Sequence, residues 1–246
     1  MSSDCSIEQV FLSAEQLSPY LKGYRCGANP MGKSRLISGA NENVQVVSDL
    51  FYELGQCSPE AGNAYYLTRT WDLLCWQPIY LAFIAVYQCR GLPDLGTIVQ
   101  HVEPTYTSGF YFSNETLLTG EAEWLITQAG RALSQLFTQY RDQMNQWIRI
   151  RPGFTRHLFA DAILQQIVKY QSIINETCST GKKGDEMGVL QHAKLWLEAC
   201  ELPLKQLDNL RSDSNTGNLT LVRTSCCLAY KCSGVSLCDD CPRLRS

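Results

Sequence analysis

Five of the twelve cysteines lie at the end of the chain, as Cys226-Cys227-LAYKCSGVSL-Cys238-Asp-Asp-Cys241-Pro242. Leaving Cys232 aside, the spacing is C-C-x10-C-x2-C. A C-x2-C turn lets two thiolates grip one metal centre while loop amides point at the sulfurs. The adjacent pair Cys226-Cys227 is a different problem. Neighbouring side chains on an extended strand point to opposite faces, so both sulfurs reach one site only if the backbone bends. A dinuclear iron–sulfur cluster, being larger than one ion, accepts such a pair more easily. Four thiolates suit either a [2Fe–2S] cluster or a structural Zn(Cys)4 site. Gly234 gives the ten-residue loop freedom to turn back, and Cys232 inside it is a spare thiol. Arg223, Lys231, Arg243 and Arg245 surround the cysteines. Their charge favours thiolates, raises the potential of a bound cluster and attracts an anionic metal complex. Arg223, three residues before the first cysteine, is the candidate to reach the metal centre's surroundings.

The arrangement C-C-x10-C-x2-C-P resembles that of the FhuF-like ferric siderophore reductases, over about the last 20 residues. Upstream the resemblance is looser: a mainly helical chain with a Trp- and Pro-containing stretch, Trp71 to Pro78. The resemblance implies that Cys226, Cys227, Cys238 and Cys241 hold a [2Fe–2S] cluster. It further implies an oxidoreductase that passes one electron to Fe(III) in a siderophore of hydroxamate type within the cytoplasm, releasing Fe(II). No catalytic residue is implied beyond the cluster. The chain carries no flavin or nicotinamide fingerprint, so an external donor such as a ferredoxin or flavin reductase is expected. The residues alone leave the other reading open, a zinc-stabilised interaction module without redox activity.

The rest of the sequence must position that tail. Its 246 residues, 45% hydrophobic and 18% charged, suffice for a real core, and a net charge of -3 disfavours a generally basic nucleic-acid binder. The N-terminus lacks the basic and apolar regions of a secretory signal, and the longest apolar run, Ile79 to Tyr87, is too short to span a bilayer. The expectation is a soluble cytoplasmic protein, with peripheral association at the inner membrane face left open.

Periodicity predicts a mainly α fold with a minor β element: a helical body over 1–217 and a cysteine-rich segment over 218–246, packed as one unit. Helices are expected within 7–22 (Ser13 capping a second one), over 44–54, from a Ser58-Pro59-Glu60 start to Tyr87, and over 121–147, 158–174, 189–200 and 204–210. Pro78 marks a kink or junction, and Arg151-Pro152-Gly153 a stop. Residues 22–43 read as loop. A β-hairpin is expected near 97–113, from Ile98–Val102 and Gly109–Phe112, and a short strand over Leu219–Arg223. Tyr65-Tyr66 and Trp71 to Trp76 are candidates to wall a cavity for a bulky chelate.

Gly27 to Ser34 matches the P-loop pattern G-x4-G-K-S. No apolar strand precedes it, however, Ser38-Gly39 interrupts the helix that a P-loop would open, and Pro30 removes an amide. It is read as a loop. His101, His157 and His192 are too scattered for a metal motif, and the other cysteines read as small hydrophobes or free thiols.

Overall fold

The computed structural model describes residues 5–27, 35–178, 186–213, 217–238 and 240–245. Helix α1 (Ile7–Leu17) begins at a capping box in which Ser6 and Gln9 satisfy each other's backbone amides. Ser13 therefore lies inside α1, not at the cap of a second helix. Strand β1 (Arg35–Ser38) forms within the stretch read as loop. Its partner is the strand that carries Val99 to Val102, a pairing that no local pattern announces.

Helix α2 (Val44–Cys57) buries Val47, Leu50, Phe51 and Leu54 on one face. The Ser58-Pro59-Glu60 signal does not start the next helix. Those residues form a turn, Gly62 takes a left-handed φ of 77°, and helix α3 spans Asn63–Ile84. The Tyr66 hydroxyl lies 2.9 Å from the carbonyl oxygens of both Ser58 and Pro59 and holds the turn against α3.

Helix α3 is buried on nearly all sides in its second half. Pro78 stays inside it. Proline has no N–H to offer the carbonyl four residues back, which is that of Leu74. Gln100 Nε2 supplies the missing donor, 3.1 Å from the Leu74 oxygen. The helix thus continues through its proline because a strand side chain satisfies the orphaned group. A π-helical turn (Ala85–Cys89) comes next, closed by Arg90 in the left-handed region.

The expected hairpin is present as β3 (Ile98–Val102) and β4 (Thr107–Phe112), with β1 added to give an antiparallel sheet of order β1-β3-β4. Two small antiparallel ribbons accompany it. One pairs β2 (Gly91–Pro93) with β5 (Leu117–Thr119), the other β6 (Leu210–Ser212) with β7 (Leu219–Leu221).

Helix α4 (Ala122–Met144) buries Leu125, Leu133, Leu136, Phe137, Tyr140 and Met144 at the expected helical spacing, whereas Trp124, which the same periodicity assigns to that face, is exposed and Trp147 lies beyond the helix. Helix α5 (Pro152–Cys178) starts at Pro152, so that proline opens a helix where the sequence suggested a stop. Helix α6 (Glu186–Ala199) packs on α4 and α5. Trp196 stacks on Phe83 of α3 with ring centres 4.4 Å apart, which locks α6 to the central helix. A 3-10 turn (Leu204–Asn209) leads to β6, and β7 runs beside α5 into the cysteine segment. No helix among the described residues is long and apolar enough to cross a membrane.

Candidate metal centre

Helix α5 holds the start of the tail at two points. Near its end, Gln171 accepts from the Leu219 amide at 2.9 Å and donates to the Leu219 carbonyl at 3.2 Å. Ten residues earlier, Asp161 accepts from the amides of Thr224 at 3.1 Å and Ser225 at 2.7 Å, and from the Ser225 hydroxyl. Ser225 is the residue immediately before Cys226.

The bend demanded by the adjacent cysteines comes directly after them. Leu228 adopts a left-handed φ of 59° and sends the chain into a 3-10 turn over Ala229–Lys231. Its amide points back at Cys226 Sγ, 3.4 Å away. The return loop turns at Gly234, with φ 77°. The Ser233 amide is anchored on Glu60 Oε1 at 2.8 Å, so the turn before α3 also touches the tail. The C-x2-C turn closes with the Cys241 amide on the Cys238 carbonyl at 3.0 Å.

These bends bring the four expected cysteines together as two facing pairs. Cys227 and Cys238 have their sulfurs 3.3 Å apart. Cys226 faces Cys241, which is only 3% exposed. Burial raises the Cys226 thiol pKa, the Leu228 amide opposes that, and Cys241 adds to it. Burial likewise raises Cys238, and Cys227 beside it adds to the effect. Arg223 pulls the other way: its Nη2 lies 3.2 Å from Cys238 Sγ while its Nε pairs with Asp240 at 2.8 Å. Burial disfavours the charged guanidinium, but Asp240 and the Cys238 sulfur outweigh it and hold Arg223 above its ordinary pKa.

By its chemistry the donor set suits a [2Fe–2S] cluster, which four cysteine thiolates hold. Four thiols are present in two pairs, with an amide and a guanidinium donor aimed at two of the sulfurs. The sulfurs stand as pairs: among the described residues no group of three or more His, Cys, Asp or Glu side chains is placed to hold a metal ion. Cys232 stands apart. It faces Tyr65, whose pKa is pushed up to about 12 by burial and then by Cys232. Lys231 and Arg243 are exposed, and Arg243 lies over the Tyr230 ring at 4.5 Å. The Arg245 side chain is outside the described part.

A cavity of about 770 Å³ opens beside this set, between α3, α5 and the loop before β4. Its aromatic wall includes Tyr20, Tyr65, Trp71, Trp76, Tyr80 and Tyr106. Its far wall is the tail itself, through Arg223, Ser225, Cys227 and Ala229. Of the sequence candidates for a cavity wall, Tyr65, Trp71 and Trp76 serve, whereas Tyr66 is turned into the core. Asp161 also lines it.

The remaining sequence signals fall elsewhere. His101 is buried under Tyr24 and Tyr111, and His192 lies 3.1 Å from the Tyr87 hydroxyl in the body core. Burial lowers the pKa of both. Of the P-loop-like match, residues 28–34 lie outside the described residues. The segment after Ser34 is strand β1, whereas a P-loop opens into a helix there. Arg223 reaches Cys238 as its place in the sequence suggests, whereas Asp161, Gln171 and Glu60 carry no sequence signal that ties them to the site. Asp161 sits on a helix face 65 residues before Cys226, with no short-range pattern to single it out.

Residues 223–243 match the family described as the FhuF 2Fe-2S C-terminal domain, a domain family that binds a [2Fe–2S] cluster. The match begins at Arg223 and takes in all four paired cysteines. No solved structure matches the chain.

Proposed function

We propose, from a C-terminal segment that matches the FhuF 2Fe-2S C-terminal domain, that this protein reduces Fe(III) held in a siderophore and so releases it as Fe(II). Cys226, Cys227, Cys238 and Cys241 are the ligands in this reading, and residues 218–246 form a metal-binding segment seated on a body over 1–217. A [2Fe–2S] cluster, when bound, supplies one electron at a time to an acceptor close by.

The observation that carries the proposal is that Cys227 forms part of the wall of the aromatic cavity. Electron transfer weakens steeply with distance, so a chelate seated there lies where transfer is favoured. The cavity volume falls within the range of ordinary ligand sites. The aromatic faces bind the bulky organic part of a chelate and exclude water from its surface. Trp76 is held for this by its Nε1 donor to Thr107 Oγ1 at 2.7 Å, and Tyr80 by Lys169 at 2.8 Å.

The charges of the wall favour uncharged chelates. Arg69 and Arg223 are matched by Asp72 and Asp161 in the lining; Arg69 pairs with Asp72 at 2.5 Å, and Arg223 with Asp240 behind the wall at 2.8 Å. An anionic complex would have to compete with these carboxylates. A ferric hydroxamate complex carrying three hydroxamates is neutral, so the wall supports that substrate class. This reverses the sequence-based expectation that the basic residues of the tail draw in an anion. Hard anionic oxygens grip Fe(III) far more tightly than Fe(II), so reduction itself loosens the ligand. The electron comes from a separate donor, a ferredoxin or flavin reductase, and the reaction is cytoplasmic.

The test uses protein purified and reduced without oxygen, mixed with a ferric trihydroxamate and a ferrous trap. Wild type is expected to recover its oxidised spectrum while Fe(II) appears in equal measure. Cys227→Ser is expected to lose both signals. Ferrous release by Cys227→Ser at the wild-type rate overturns the proposal.

A further inference from the structure

We propose that Asp161 is the positioning residue of the cysteine loop and that its carboxylate lowers the reduction potential of the group held there, in opposition to Arg223. The inference rests on the reading that the four cysteines hold a [2Fe–2S] cluster.

Asp161 is 3% exposed. The hydrogen bonds of its carboxylate are with Thr224 and Ser225, the two residues directly before Cys226. The amides of Thr224 and Ser225 and the Ser225 hydroxyl donate to it, and the Thr224 hydroxyl lies between its oxygens, at 3.3 and 3.4 Å, and Gln206 Oε1, at 3.3 Å. This ring of donors suits a carboxylate, which only accepts. Among the described residues no Lys, Arg or His forms an ion pair with it. A buried charge compensated only by dipoles acts on its surroundings with little screening.

Residues 223–225 join both halves of the cysteine set. Ser225 leads directly into Cys226 and Cys227, while Arg223 reaches across to Cys238 and Asp240. Gln171 grips Leu219 about 15 Å further along α5, at 1.5 Å of helix per residue. Between these two grips the stretch also has the Val222 amide on the Asn209 carbonyl at 2.9 Å. Asp161 is therefore the body's hold on the two residues directly before Cys226. An added electron makes the cluster more negative. The carboxylate disfavours that state and the guanidinium favours it.

The experiment poises the loaded protein at one fixed potential and reads the ratio of reduced to oxidised cluster by absorbance, with iron and sulfide counted on every variant. Asp161→Asn is expected to raise the ratio about tenfold, Arg223→Gln to lower it about tenfold, and the double variant to fall between. Full iron content in Asp161→Asn with an unchanged or lowered ratio overturns the inference. If Asp161→Asn loses its iron, Asp161→Glu decides, because it keeps the charge and the accepting oxygens. Restored iron in Asp161→Glu supports the inference, and continued loss with an intact helical spectrum overturns it. The underlying cluster reading fails separately, through a wild type without iron and sulfide or a Cys227→Ser that keeps them.

Discussion

The helical body and the cysteine tail are built on opposite principles. In the body, α3, α4, α5 and α6 bury Phe83, Tyr140, Ile167 and Trp196 almost completely, and many apolar contacts specify the same arrangement. From residue 217 onward only Leu219 and Cys241 are buried hydrophobic residues among those described. The tail is held instead by its pairing with β6 and a few polar contacts: Gln171, Asp161 and Glu60 grip it from the body, and Arg223 ties it to itself. Hydrophobic burial is redundant and non-directional, so a core tolerates the loss of a contact. A set of single hydrogen bonds is not redundant, and in the proposed reading its geometry is completed when the four sulfurs share a metal centre. We expect the body to fold without metal, and the tail to need the body and a metal centre together.

The sharpest way to break this comparison is to remove one ligand. Cys241→Ser is expected to lose iron entirely and to lose amide-exchange protection across 226–244, while α3 to α6 keep theirs. Loss of protection in the body as well would show that the two regions are one cooperative unit.

Next in size is a blow to the core. Trp196→Ala removes the ring stacked on Phe83 and is expected to cost about 3–5 kcal/mol in denaturant unfolding. Iron content per folded chain should stay at the wild-type value. A fall in iron content at concentrations where the body is still folded would couple the regions more tightly than the structure indicates.

The smallest effect is electrostatic. The Ser233 amide bonded to Glu60 holds that carboxyl below the usual glutamate pKa. A lowered folded-state pKa means the contact contributes fully above the ordinary value of about 4.3 and is lost as pH falls through the lowered one. Exchange at the Ser233 amide, corrected for its intrinsic pH dependence, should rise below pH of about 4, and Glu60→Ala should show the rise already at neutral pH. An amide equally protected in Glu60→Ala would remove Glu60 as an anchor.

The same difference between body and tail decides which features are legible in the sequence alone. Helices α2, α4 and α6 announce themselves by apolar spacing because one face of each is buried. The hairpin of β3 and β4 is equally local. The readings fail where a distant partner decides. Pro59 resembles a helix opener, but Tyr66 ties its carbonyl into a turn. Pro152 resembles a stop and instead opens α5. Pro78 suggests a break, and Gln100 from the sheet repairs it. In the tail, the cysteine spacing alone carries the metal chemistry, since thiolate chelation demands a short and particular interval. The polar anchors carry no such interval. A buried aspartate that accepts from backbone amides 63 and 64 residues away leaves no trace in a window of the sequence.

The nature of the group held by the four cysteines is the most direct test. Iron, zinc and acid-labile sulfide should be counted per chain on protein purified without oxygen, alongside a visible spectrum. About two irons and two sulfides, with colour that bleaches on reduction, is the expected result. One zinc, no sulfide and no colour in protein made with ample iron would contradict the cluster and leave a zinc-bound segment in its place.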